Sequence, residues 1–195
     1  MFGAALRNGF GGLLRFSGRD RPAMFWIYAG IVLGGAFAAW LLAFAAQFRG
    51  FTERVNRIAA EHPEDVIIDQ GPGHYSVQIK GWHPELMPDF AGLLQTMTVI
   101  ATVVAILLAA AVTRRLHDSN VRGWFALVPC GLLFLGLYLM GTFFNGLNGQ
   151  AEPDLSAFFT IFAVNLAYLA SLGGLVYLLV RGGTVGENRF GPPSF

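Results

Sequence analysis

The chain has 195 residues, of which 54% are hydrophobic and only 13% charged, with 18 Phe and a mean hydropathy of +0.53. A soluble globular domain carries about 25% charged residues, so this composition excludes that class and points to an integral membrane protein. The single cysteine, Cys130, lies in an apolar window, which excludes a disulfide framework or thiolate metal cluster within one chain; no cofactor is expected, and the net charge of +1 gives no reason to expect a nucleic-acid partner.

Residues 1–22 form a basic segment, with Arg7, Arg15, Arg19 and Arg21 against Asp20 alone. On a helix Phe2, Leu6, Phe10, Leu13 and Leu14 share one face, an interfacial anchor; Gly3, Gly9, Gly11 and Gly12 favour a flexible basic tail instead. Residues 23–48 contain no charge and are long enough to cross about 30 Å of hydrocarbon as a helix. Gly30 and Gly34 make a G-x-x-x-G suited to close helix contact. Ala43-Phe44-Ala45 has the small-residue pattern of a signal-peptidase site, but the window far exceeds a signal core of about 7–15 residues, so it reads as the first span.

Residues 49–89 are the one sizeable polar segment, with four basic residues against seven acids. A short helix is expected over 52–60, ended near Pro63, followed by a hairpin in which Val66-Ile67-Ile68 and Tyr75–Lys80 flank Gly71-Pro72-Gly73. Such an insert is too small for its own core and is expected to pack on the membrane surface or on a partner. Residues 90–113 form the second span, whose Ala101, Ala105 and Ala109 predict a tight helix interface. The charged turn Arg114-Arg115-Leu116-His117-Asp118-Ser119-Asn120-Val121-Arg122-Gly123-Trp124 follows. Spans three and four cover residues 124–144 and 158–180, joined by a loop holding Glu152 and Asp154, and residues 181–195 form a Gly- and Pro-rich tail.

Nine of the thirteen basic residues lie in the N-terminal segment, the charged turn and the tail. The positive-inside rule places all three in the cytoplasm. The expected fold is therefore an all-α membrane protein with four transmembrane helices, both termini cytoplasmic, and a small extracytoplasmic insert between helices 1 and 2.

Three motifs on that side carry a family resemblance. Phe16-Ser17-Gly18-Arg19-Asp20-Arg21-Pro22-Ala23-Met24-Phe25-Trp26 resembles the opening F-x-G-R-x-x-R-x-x-[FY]-W of DUF805, a bacterial inner-membrane family of unknown function, with the second arginine one position early. Arg114, Arg115, Leu116, His117, Asp118, Gly123 and Trp124 are similar to its R-R-L-H-D-x-x-x-x-G-W, and Gly186, Asn188, Arg189, Phe190, Gly191 and Pro192 to its G-x-N-R-[YF]-G-P ending. The resemblance implies a four-helix inner-membrane domain whose recurring residues gather at the cytoplasmic helix ends. It implies no reaction, and the insert is longer than the family pattern.

Within the charged turn, Asp118 stands three residues from Arg115 and four from Arg114, so on a helix it pairs with either. Two readings follow. In one, Arg19, Arg21, Arg114, Arg115, His117, Asp118, Arg122, Trp124, Asn188 and Arg189 form a site for an anionic headgroup or a partner protein; in the other they are a helix-end ion network with Trp124 in the aromatic belt. Catalysis is not expected, because His117 and Asp118 are adjacent on a helix and point about 100° apart, and Ser119 reads as a turn or cap residue. His74 and His83, with Asp69 or Glu85, match no metal-ligand spacing, His62 reads as a loop residue, and Tyr75, Trp82 and Met87 read as lipid or partner contacts. No ionisable Asp, Glu, Lys, Arg or His lies within the spans, which argues against an ion-coupled pump. Gln95, Tyr138, Asn165, Tyr168 and Ser171 remain there as polar candidates. The expected function is a non-enzymatic inner-membrane module binding anionic lipid or a protein partner; the alternative is a transporter or channel subunit for a neutral solute or lipid, acting as a homo-oligomer.

Overall fold

A helix satisfies its own backbone hydrogen bonds, so long uncharged windows placed in hydrocarbon fold as helices. In the computed structural model, which describes residues 1–81, 86, 89–148 and 155–192, four helices are long and apolar enough to cross a membrane. A short helix α1 (Phe2–Gly11) precedes them. The four are α2 (Pro22–Glu61), α3 (Phe90–Asp118), α4 (Leu127–Asn148), entered through a 3-10 turn at Gly123–Ala126, and α5 (Leu155–Val180). Strands β1 (Val66–Gly71) and β2 (His74–Ile79) pair antiparallel between α2 and α3, with Val66 opposite Ile79 and Gly71 opposite His74.

The hairpin forms where its turn residues place it, with Gly73 at a φ of 87° that an L side chain rarely adopts. The helix before it differs from expectation. Rather than a span and a separate short helix, α2 is one helix of 40 residues. Gly50 at the junction costs about 1 kcal/mol of helix propensity, too little to break a helix without a proline. Pro63 marks where it stops, after the cap at His62. Ile58 near that end is buried, whereas Ile67 and Ile68 on β1 are exposed.

The N-terminal segment is a helix rather than a flexible tail, and its glycines explain why. At Gly9 the ring of Tyr28 occupies the space a Cβ would need. The residue that weakens α1 in isolation is therefore the one that lets it dock on α2. Phe10 meets the same ring edge-on at 5.3 Å, and Leu6 packs on the core.

That core joins Phe25, Tyr28, Ala29 and Val32 of α2, Ala111, Val112 and Leu116 of α3, and Leu179 of α5. These positions fall in the first turns of α2 and the last turns of α3 and α5, so close packing concentrates at one end of the bundle. Elsewhere the helices are loosely covered: in the apolar window of each span only 6 to 11% of residues are buried. Two sequence expectations fail for this reason. Gly30 and Gly34 touch nothing within 4 Å of where a Cβ would stand, so their motif makes no close contact within the chain. Ala101, Ala105 and Ala109 line an open cleft instead of a tight interface, because small side chains leave a gap when the neighbouring helix does not move in.

Candidate functional site

The last turn of α3 carries Arg114, Arg115 and Asp118 into the core end of the bundle, where they are 1%, 0% and 5% exposed. Charge taken out of water is tolerated only when paired and hydrogen-bonded. Each is. Arg115 donates from Nη1 to Asp118 Oδ2 at 2.7 Å, the three-residue pairing expected on a helix, and from Nε to the Leu179 carbonyl at 2.9 Å. Its other terminal nitrogen bonds the Arg181 carbonyl, so one guanidinium closes the C-terminal end of α5. Arg114 turns the other way. Its Nε donates to Asp20 Oδ2 at 2.8 Å and its Nη1 to the Gly12 carbonyl at 2.8 Å, fixing the segment after α1.

Arg19 completes the junction from the N-terminal side. It donates to Asp118 Oδ1 at 2.9 Å and to the carbonyls of Thr184 and Gly186, at 2.6 and 2.7 Å, so Asp118 stands between two guanidiniums. Asn188 holds the tail by donating to the His117 carbonyl at 3.0 Å and to Thr184 Oγ1 at 2.8 Å. Thr184 in turn donates its backbone N–H and its hydroxyl to the Asp118 carbonyl. The N-terminal segment, the end of α3 and the tail therefore meet at one end of the bundle, as the three sequence motifs imply.

The chemically suggestive side chains of the turn are occupied. The His117 ring stacks on Phe190 at 3.8 Å with Nδ1 3.3 Å from the Gly18 carbonyl, and Ser119 Oγ donates to the Leu178 carbonyl at 3.3 Å. Arg189 lies over the other ring of that stack, 4.7 Å from the centre of Phe190, and donates to the Asn120 carbonyl. Asn120 takes a φ of 59°, a left-handed turn that Asn tolerates. Trp124 is 52% exposed and stacks on Phe125. Arg122 is exposed, and no carboxylate pairs with it among the described residues.

Beside this network lies a second feature. An open cleft of about 470 Å³ is lined by Arg7, Arg15, Arg19 and Arg21, with Asn8 and Asp20 on its wall. Arg15 donates to Asn8 Oδ1 at 2.8 Å, and Asn8 donates to Asp20 Oδ1 at 3.0 Å. Gly12, also on the wall, is backed by Arg114, whose Nη1 and Nη2 both lie 3.2 Å from the position of a glycine Cβ. Arg114 Nη2 is buried and has no hydrogen-bond acceptor among the described residues. Three buried guanidiniums, of Arg19, Arg114 and Arg115, thus face two buried carboxylates, Asp20 and Asp118, an excess of one positive charge in the junction beside the cleft.

Of the sequence candidates, Arg19, Arg114, Arg115, His117, Asp118, Asn188 and Arg189 come together; Arg21 lines the cleft, and Arg122 and Trp124 lie on the exposed turn beyond. Sequence reasoning left out Asp20 and Gly12. Asp20 had a signal, as the lone acid among four arginines. Gly12 had none, since only the position of Arg114 gives its missing side chain a purpose. In the insert, His74 meets Asp69 at 3.3 Å on an exposed strand edge, while His83, Glu85, Trp82 and Met87, the Tyr75 side chain, and Glu152 and Asp154 lie outside the described residues. Among the other span residues, Asn165 does not bridge helices but donates to the Ile161 carbonyl of its own helix at 2.9 Å.

Four apolar spans, tied at one end by a buried Arg–Asp junction, define a multi-pass membrane protein. The chain belongs to the family described as protein of unknown function (DUF805), whose model matches residues 13–192. No curated protein and no solved structure matches it.

Proposed function

We propose that this protein is a non-enzymatic module of the bacterial inner membrane that binds the phosphate of an anionic lipid headgroup in the arginine-lined cleft. Both termini and the charged turn face the cytoplasm in this reading, and the hairpin insert lies outside; the placement of nine of thirteen basic residues supports that orientation. The observation that carries the proposal is the buried Arg114 Nη2, which has no acceptor among the described residues and lies behind Gly12, a residue that lines the cleft together with Arg7 and Arg15. A buried donor left unpaired costs about 1–3 kcal/mol, more for a charged group, and an anion entering the cleft would supply the acceptor. The occupied state of His117 and Ser119 supports a binding rather than a catalytic role.

The division of labour differs from an arginine cluster that simply presents its forks. Arg19, Arg115 and most of Arg114 are committed internally, so they shape the site and supply its field. Arg7 and Arg15, with the one free nitrogen of Arg114 behind Gly12, are the groups that meet the ligand.

The test is native mass spectrometry of the full-length protein released from mixed phosphatidylglycerol and phosphatidylcholine bilayers. Each surface arginine near an anionic headgroup contributes about 1 kcal/mol. Replacing Arg7→Gln and Arg15→Gln together should lower the preference for phosphatidylglycerol by about 30-fold. Equal retention of the two lipids by the wild-type protein, or an unchanged preference in the double variant, would overturn the proposal.

A further inference from the structure

A second cleft, of about 450 Å³, opens within the span region among α3, α4 and α5, with Phe16 and Trp40 also on its lining. Its lining contains no charged residue. Along α3 it runs from Met97 to Thr113, sixteen steps that at about 1.5 Å rise each span about 24 Å, more than the roughly 15 Å depth of one leaflet of a 30 Å core. The alanines at 101, 105 and 109 line it, and their small side chains leave it open. Thr113 does not make it polar, because its hydroxyl is spent on the Ala109 carbonyl at 2.8 Å. At the charged end the lining passes through Gly123, the residue after Arg122, which is exposed and pairs with no carboxylate among the described residues.

We infer that this cleft holds one hydrocarbon chain of an anionic phospholipid, with its headgroup at Arg122. The site is distinct from the arginine-lined cleft and shares no residue with it, so either can fail without the other. An apolar channel at membrane depth, longer than a leaflet and ending beside an exposed cation, matches the shape and charge of such a lipid. A transported polar solute would find no charged group along it. Tyr168 lines the cleft and its hydroxyl has no partner among the described residues. Level with Leu179, α5 meets α3 at Arg115, and Tyr168 lies eleven residues deeper, about 16 Å below. That depth places it beside the chain and out of reach of the headgroup.

The experiment compares two full-length variants with the wild type in native mass spectrometry after reconstitution with phosphatidylglycerol and phosphatidylcholine. Ala105→Trp fills the cleft and should remove one tightly held phospholipid, with the thermal unfolding midpoint recording whether the fold survives. Arg122→Gln, an exposed change that leaves the packing alone, should keep that lipid but reduce its preference for phosphatidylglycerol about fivefold. The inference is overturned if folded Ala105→Trp keeps the lipid, or if Arg122→Gln leaves the preference unchanged. The Arg122→Gln result decides the matter should Ala105→Trp fail to fold.

Discussion

Replacing Asp118 with Asn changes no volume and removes one charge from the most connected point of the junction. In the native protein its two oxygens accept from Arg19 at 2.9 Å and from Arg115 at 2.7 Å, and the residue is 5% exposed. Hydrogen bonds to charged groups contribute about 1.5–3 kcal/mol each, so two of them suggest a loss of about 3–6 kcal/mol. Breaking a buried ion pair by removing one partner independently gives about 3–5 kcal/mol, because the guanidiniums are left buried and uncompensated. Asp118→Asn should therefore cost about 3–5 kcal/mol in equilibrium unfolding in mixed micelles. The tail should loosen with it, since Arg19 also holds the Thr184 and Gly186 carbonyls, and trypsin should cut after Arg189 faster than in the wild type. Arg19→Gln combined with Asp118→Asn should cost less than the sum of the two, since each removes the same pair. A loss below about 1 kcal/mol, the scale of an exposed pair, would refute the view that this junction is a buried structural lock.

Other substitutions probe the same junction by different physics. Gly183→Ala drives a Cβ into the Asp118 carboxylate; overpacking of this kind costs about 1–3 kcal/mol, measurable as a lowered unfolding midpoint. Gly9→Ala should raise the helix propensity of α1 by up to about 1 kcal/mol and yet destabilise the protein, because the Tyr28 ring fills the space; a rise in stability would show that α1 is not docked there. Asn188→Ala removes two side-chain donations, to the His117 carbonyl and Thr184, and the acceptor for the Phe190 N–H. It should cost about 1–3 kcal/mol and expose the tail to protease without changing lipid preference.

Length and the absence of charge made the spans readable, because in a membrane about 20 uncharged, apolar residues in a row are themselves the fold signal. The hairpin was readable from Gly71-Pro72-Gly73. Less readable was which arginine meets which acid. Both Arg114 and Arg115 satisfy the local spacing to Asp118, and only the arrival of Asp20 from 94 residues away sends Arg114 to a different partner. The alanine stripe misled for a related reason. Small residues permit close approach but do not compel it, and here Ala101, Ala105 and Ala109 border open space. The glycines of α1 misled in the opposite sense, since propensity counts their local cost and is blind to the ring of Tyr28. At the charged turn, the His117-Asp118-Ser119 run invites a catalytic reading that side-chain direction removes: one faces Phe190, one two arginines, one the α5 backbone.

The proposed headgroup site is tested most directly at Arg114 itself. With the Arg114 guanidinium nitrogens assigned by isotope labelling, solid-state nuclear magnetic resonance can measure their dipolar coupling to lipid phosphorus in phosphatidylglycerol bilayers. The account predicts a coupling at Arg114 that disappears in the Arg7→Gln, Arg15→Gln double variant while the Arg114–Asp20 pair stays intact. No coupling at Arg114 in the wild-type protein, or one that survives the loss of both Arg7 and Arg15, would contradict it.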